Sequence, residues 1–192
     1  MDSITKLSFT LKIRGYISLL KLRLSSLVVL SAFFGFLLAD GNLTSYIFLN
    51  LILGGVLITG SSNGFNQVIE HKTDELMSRT FSRPLPSKVL SIPEALIFCI
   101  ITGVLGLYLL ASINFSSFIL GLLAMVIYTV IYTPLKKITP FAVFVGAIPG
   151  SIPPLLGYVA VSNDFGLEPG ILFVLQFFWQ FPHFWALAWK LD

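Results

Sequence analysis

Six apolar stretches dominate this sequence of 192 residues, and each approaches the roughly 20 residues that a helix needs to cross a bilayer. They lie near residues 24–39, 45–65, 95–112, 116–133, 141–161 and 170–189. Only 11% of the residues are charged, whereas soluble domains carry about a quarter. Because helices satisfy their own backbone in lipid and no strand-like alternation is present, we expect an all-α integral membrane protein, a bundle of about six transmembrane helices.

The placement of charged residues supports this span count. All 12 Lys and Arg residues lie before the first stretch, between the second and third, between the fourth and fifth, or after the sixth. The opposite connections carry only Asp40, Asp164 and Glu168 as charged groups. The positive-inside rule gives this asymmetry when both termini are cytoplasmic. The net charge of +3 therefore reports topology, and we expect the lipid bilayer as a partner and no nucleic acid.

The N-terminal segment mixes basic and apolar side chains over residues 6–23. This mixture is typical of a helix at a membrane surface. We therefore expect residues 1–23 to be cytoplasmic or interfacial, with Lys21 and Arg23 reaching the headgroups. The sequence indicates no second domain, so residues 1–192 are expected to form a single transmembrane domain.

An acidic helix face follows the second stretch. Asn66, Glu70 and Asp74 are spaced four residues apart, which places them on one side of a helix. Like charges at this spacing repel unless a positive group lies between them, and Mg²⁺ prefers oxygen ligands together with substrate phosphates. Arg79 and Arg83 follow, and guanidinium groups bind phosphate oxygens. The pattern predicts a Mg²⁺–diphosphate site; the alternative is a solvated loop whose charges pair with one another.

A second polar loop follows the fourth stretch, with the sequence YTPLKK at 132–137. Lys136 could reach a diphosphate held by the first loop, although the positive-inside rule explains this lysine equally well. The next stretch is interrupted by prolines and glycines over residues 146–158. Irregular backbone at membrane depth survives only in a protein interior or beside a cavity, so a ligand cavity is expected there.

The sixth stretch places polar side chains among aromatic ones. Gln176, Gln180 and His183 follow one helix face, surrounded by Phe and Trp residues. A polar side chain within lipid often marks a site, whereas a lone histidine is more often a packing residue. Both interpretations of His183 remain open from the residues alone.

Together these segments resemble the UbiA-type intramembrane prenyltransferase superfamily. The resemblance rests on Asn66, Glu70 and Asp74, on the following RT at 79–80 and RP at 83–84, and on YTPLKK at 132–137. The family more often has Asp at the position of Glu70. Within the superfamily, IPGSIPPLLGY at 148–158 and PHFWALA at 182–188 are most similar to the branch that farnesylates haem.

The resemblance implies an enzyme that transfers the farnesyl group of farnesyl diphosphate to the vinyl group of haem B, giving haem O, with Mg²⁺ as cofactor. It implies metal-binding and catalytic roles for Asn66, Glu70 and Asp74. It implies diphosphate binding by Arg79, Arg83 and Lys136, and contact with haem by His183. The expected location is the bacterial cytoplasmic (inner) membrane or its equivalent, with cytoplasmic active-site loops. Haem A synthase or cytochrome oxidase assembly proteins are the implied protein partners.

One departure from the family concerns length. By analogy with the family fold, about nine helices and a second acidic motif are expected, whereas this chain ends at Asp192, about where that motif should begin. We therefore expect a C-terminally incomplete chain that is inactive alone. The alternatives that the sequence leaves open are a prenyltransferase for another acceptor, such as a quinone precursor, and a non-catalytic membrane fragment or transporter.

Overall fold

The computed structural model describes the backbone of residues 2–191 and the side chains of residues 9–186 and 189. Every regular element within these residues is helical. In chain order they are α1 (Asp2–Leu20), α2 (Leu22–Leu38), α3 (Tyr46–Leu76), α4 (Ile92–Ala111), α5 (Phe115–Val126), a π-helical segment (Ile127–Tyr132), the single turn α6 (Thr133–Leu135), α7 (Ala142–Ser162) and α8 (Leu167–Leu191).

Five helical stretches in this part of the chain are long and apolar enough to cross a membrane. They are Phe9–Leu38, Tyr46–Leu76, Ile92–Ala111, Phe115–Leu135 and Ala142–Ser162. The all-α, multi-spanning membrane bundle is thus confirmed. The sixth predicted stretch, 170–189, falls in α8, which is helical but is not one of the five; several side chains near its end lie outside the described residues.

Helix α3 is much longer than a bilayer requires. Its 31 residues extend about 46 Å, against a hydrocarbon core about 30 Å thick. The last turns, which carry the acidic face, therefore project from the apolar layer. Helix α3 ends at Leu76. The Thr80 hydroxyl donates to the Asp74 carbonyl oxygen over 2.8 Å and so satisfies a terminal carbonyl that has no intrahelical partner.

The main core joins α2 and α7 by direct backbone contact. A Cβ atom at Gly35 would overlap the carbonyl oxygen of Pro154, and one at Gly157 would overlap the carbonyl oxygen of Ala32. Small residues allow this close approach, which gains dispersion contacts where lipid supplies no hydrophobic driving force. Phe36 is fully buried beside this crossing.

A smaller apolar cluster holds the loop between α3 and α4. Leu85 and Leu90 from the loop pack with Leu19 of α1 and Ala95 of α4. The loop that carries the two candidate arginines is therefore anchored from both sides rather than free in solvent.

Helix α7 is continuous through residues 146–158. The prediction that prolines and glycines make the backbone irregular there is therefore wrong. Gln180 of α8 and Ser151 both donate hydrogen bonds to the Ala147 carbonyl oxygen, over 3.0 Å and 2.6 Å. The bond from Gln180 ties α8 to the proline-rich part of α7.

Candidate functional site

A polar cavity of about 250 Å³ lies at the end of α3. Its walls come from α3, from the loop after it, from the bend between α1 and α2, and from the segment around α6. The lining includes Lys21, Asn66, Glu70, Thr73, Asp74, Met77, Arg79, Thr80, Arg83, Tyr128 and Lys136. The structure thus brings six of the seven predicted site residues to one cavity.

The two carboxylates of this cavity are buried, and each is paired with a cation from another element. Arg83 lies 2.6 Å from the Oδ2 atom of Asp74, and Lys136 lies 3.0 Å from the Oε2 atom of Glu70. Carboxylates buried without such partners would lose hydration with no compensation. The positive groups that the four-residue spacing required are therefore supplied by the protein itself.

A hydrogen bond to α6 fixes the amide of Asn66. Its Nδ2 atom donates to the Thr133 hydroxyl over 3.2 Å, and that hydroxyl donates to the Tyr128 carbonyl oxygen over 2.8 Å. The Lys136 ammonium also lies 5.6 Å from the centre of the Tyr132 ring, a cation–π distance. These contacts hold the second predicted loop against the acidic face of α3.

The donor set at the acidic face suits a hard divalent cation. Asn66, Glu70 and Asp74 offer amide and carboxylate oxygens, and the ion pairs use one oxygen of each carboxylate. Within the described part of the chain, no group of three or more His, Cys, Asp or Glu residues could hold a metal ion. The amide oxygen of Asn66 and the remaining carboxylate oxygens fit Mg²⁺ held by few protein ligands and completed by substrate phosphate oxygens.

A second cavity, of about 280 Å³, lies deeper in the bundle and is mostly apolar. Its walls come from α2, α3, α5, the π-helical segment, α7 and α8. The glycine- and proline-rich stretch supplies Gly146, Pro149, Gly150 and Pro153, which confirms the cavity predicted beside this helix.

Tyr128 belongs to the lining of both cavities. It lies in the π-helical segment, and π-helical turns in proteins occur frequently at functional sites because they shift side chains around the helix axis. The polar and apolar cavities therefore meet at one aromatic side chain. This arrangement suits a ligand with a charged head and a greasy tail.

His183 is the predicted site residue that the structure keeps apart. Its side chain is exposed and stacks on Trp179, with ring centroids 5.2 Å apart, and it lines neither cavity. Gln180 and Phe184 of the same helix line the apolar cavity instead. The role of His183 toward haem stays a prediction.

Five residues that line the polar cavity are not among the predicted site residues: Lys21, Thr73, Met77, Thr80 and Tyr128. Lys21 was expected at the headgroups, yet its side chain lines the polar cavity. Tyr128 carried no distinguishing signal, because it is one aromatic residue within an apolar stretch.

Comparison with known proteins decides the family. Residues 28–192 match the UbiA prenyltransferase family. The chain belongs to the UbiA prenyltransferase family. This match confirms the resemblance that the sequence indicated. It includes the acidic face, the following arginines and the YTPLKK segment.

Several relatives of this UbiA-family chain are named protoheme IX farnesyltransferase. The one from Cytophaga hutchinsonii is 46% identical and matches 93% of this chain and 63% of its own length. That of Flavobacterium psychrophilum is 48% identical, with 85% and 56% covered. The mitochondrial protein of Arabidopsis thaliana is 41% identical, with 91% and 41% covered. The chain therefore spans less than two thirds of the length of these relatives.

Solved structures support the same fold for this UbiA-family chain. The structure of digeranylgeranylglyceryl phosphate synthase has a TM-score of 0.76 at 22% identity and covers 86% of this chain and 58% of that chain. A UbiA homologue from Archaeoglobus fulgidus bound to GPP and Mg²⁺ has a TM-score of 0.62 at 21% identity, covering 85% of this chain and 60% of that chain.

Proposed function

We propose that the protein to which this chain belongs transfers the farnesyl group of farnesyl diphosphate to the vinyl group of haem B, giving haem O. The observation that carries the proposal is the junction at Tyr128, where a cavity rich in cations and carboxylates meets an apolar cavity inside the bundle. A prenyl diphosphate has the same division between a charged head and an apolar chain. The names of the relatives support haem as the acceptor.

The diphosphate head is assigned to the polar cavity. Arg79, Arg83 and Lys136 would donate hydrogen bonds to its oxygens, since guanidinium and ammonium groups bind phosphate strongly. In the ligand-free protein two of these cations neutralise Glu70 and Asp74. Mg²⁺ held by Asn66, Glu70 and Asp74, when bound, would take over that neutralisation and offset charge on the departing diphosphate.

The farnesyl chain is assigned to the apolar cavity, with its reacting carbon near Tyr128. The carbon–oxygen bond breaks with its electron pair going to the diphosphate, which the basic residues stabilise. The vinyl π electrons of haem B then form the new carbon–carbon bond. Water adds to the resulting cation and loses a proton, which leaves the hydroxyl group of haem O. The Tyr128 and Tyr132 rings that line the apolar cavity would stabilise the allylic cation.

The proposed location is the bacterial cytoplasmic membrane or its equivalent, with residues 1–23 and the polar cavity on the cytoplasmic side. The distribution of Lys and Arg supports this orientation. Contact with haem A synthase or cytochrome oxidase assembly proteins stays a prediction.

The full-length protein should be expressed in membranes that lack their own haem O synthase activity. These membranes are then supplied with Mg²⁺, farnesyl diphosphate and haem B, and the extracted haems are separated by mass. Haem O is expected in the wild type and should be lost in Asp74→Asn. Farnesylation of an added quinone precursor, with haem B unchanged, would contradict the haem assignment and favour the other acceptor class.

A further inference from the structure

The bend between α1 and α2 has an unusual backbone. Lys21 adopts φ 45° and ψ 54°, in the left-handed region. This conformation is uncommon for a residue with a long side chain, and strained conformations persist only where surrounding contacts enforce them. Glycine or asparagine would suit the position better, so the presence of lysine calls for an explanation.

Buried side chains hold this bend in place. Gln67 of α3 donates to the Leu19 carbonyl oxygen over 3.1 Å. The Ser25 hydroxyl donates to the Leu20 carbonyl oxygen over 2.7 Å, and Asn63 donates to the Ser25 hydroxyl over 3.4 Å. Gln67, Ser25 and Asn63 are each at most 2% exposed. Gln67 and Ser25 thus satisfy carbonyl groups that the break between the helices would otherwise leave unpaired, and Asn63 holds the Ser25 hydroxyl in place.

The bend directs the Lys21 side chain toward the polar cavity. Lys21 lines that cavity with Glu70, Asp74, Arg83 and Lys136. Both carboxylates already have an ion-pair partner, and no ion pair among the described residues involves Lys21. Lys21 therefore adds to the cavity a positive charge that forms no ion pair with Glu70 or Asp74.

We propose that Lys21 is a further diphosphate-binding residue, whose ammonium donates to an oxygen of the prenyl diphosphate in the polar cavity. This inference rests on the proposed function. It gives a reason for the left-handed bend, because Lys21 stands at the bend itself and lines the cavity.

The test uses the full-length protein in lipid nanodiscs and inorganic diphosphate with Mg²⁺ as the probe. Lys21→Asn removes the charge and suits the left-handed backbone. It should weaken diphosphate binding about tenfold or more, as expected for loss of a charge-assisted hydrogen bond. Lys21→Arg should retain most of the affinity. If Lys21→Asn fails to fold, Lys21→Gly serves instead, since glycine accepts positive φ without strain.

The matched control is Arg23→Gln, which removes an exposed cation two residues away that does not line the polar cavity. It should leave diphosphate affinity within about twofold. Unchanged affinity in Lys21→Asn, while the wild type binds diphosphate, would overturn this inference alone. Weaker attachment to anionic phosphatidylglycerol, with diphosphate affinity intact, would likewise overturn it and assign Lys21 to lipid headgroups. A folded wild type that binds no diphosphate would overturn the proposed function as well.

Discussion

Asp74 and Arg83 form an ion pair of 2.6 Å that ties the buried end of α3 to the loop after it. Arg83 is therefore positioned by the same carboxylate that is expected to hold Mg²⁺. In the proposed mechanism, substrate binding would release this contact, so that Asp74 could hold Mg²⁺ and Arg83 could bind the diphosphate. The variants are made in the full-length protein.

Asp74→Asn should lower turnover at least about 100-fold, the scale of removing an electrostatic stabiliser, and should leave the protein folded. The matched control is Glu75→Gln, which changes the adjacent, exposed carboxylate that lies outside the polar cavity. Haem O formation and thermal unfolding are measured for both. Full activity in Asp74→Asn would contradict the metal–diphosphate assignment.

Lys136→Gln should reduce kcat/KM for farnesyl diphosphate about 10- to 100-fold, because a cation that contacts the leaving group is lost while Glu70 is left unpaired. Lys137→Gln provides the comparison, since that exposed lysine contacts Thr73 and does not line the cavity. Its kcat/KM should stay within about threefold. Equal losses in the two variants would indicate a general charge effect at the membrane surface.

Ala124→Leu should shift the preferred prenyl chain toward shorter substrates. Ala124 lines the apolar cavity, so a larger side chain removes space from its volume of about 280 Å³. The ratio of kcat/KM for geranyl over farnesyl diphosphate is expected to rise about tenfold, since misfit of a few methylenes is worth a few kcal/mol at most. Ala111→Leu, an exposed position outside the cavity, should leave the ratio unchanged. An unchanged ratio in Ala124→Leu would show that the prenyl group does not occupy the apolar cavity.

His183→Ala should weaken haem binding about two- to tenfold, the scale of an aromatic contact, and leave farnesyl diphosphate binding nearly intact. The chain's other histidine, His71, lines neither cavity, and His71→Ala is the control. Absorption titrations with haem and separate binding of farnesyl diphosphate give the two affinities. An identical loss for both ligands in His183→Ala would indicate a packing role.

Gly157→Ala should destabilise the fold by about 1–3 kcal/mol, because its Cβ atom would overlap the Ala32 carbonyl oxygen and force α2 from α7. Gly170→Ala is the matched control, since no atom lies within 4 Å of a Cβ atom built there. Unfolding in mixed micelles measures both. Equal stability of the two variants would show that the helices move apart at little cost.

The sequence by itself determined that the helices of this protein lie in lipid, and it identified the acidic face of the candidate site. Apolar stretches of bilayer length require helices, since lipid offers no partner for unpaired backbone groups. The spacing of Asn66, Glu70 and Asp74 sufficed to place them on one face, because helical periodicity is a local property. The sequence also predicted that Arg79 and Arg83 lie close to these residues, because they follow only a few positions later in the chain.

Only the tertiary structure decided which distant groups complete the cavity. Lys136 meets Glu70 across 66 positions of sequence, and Lys21 arrives from a bend that depends on buried donors in α2 and α3. Tyr128, in a π-helical turn, lines both cavities, while His183 lines neither. Helix crossing and rotation fix these directions, and they depend on packing between segments far apart in the chain, which local patterns do not encode.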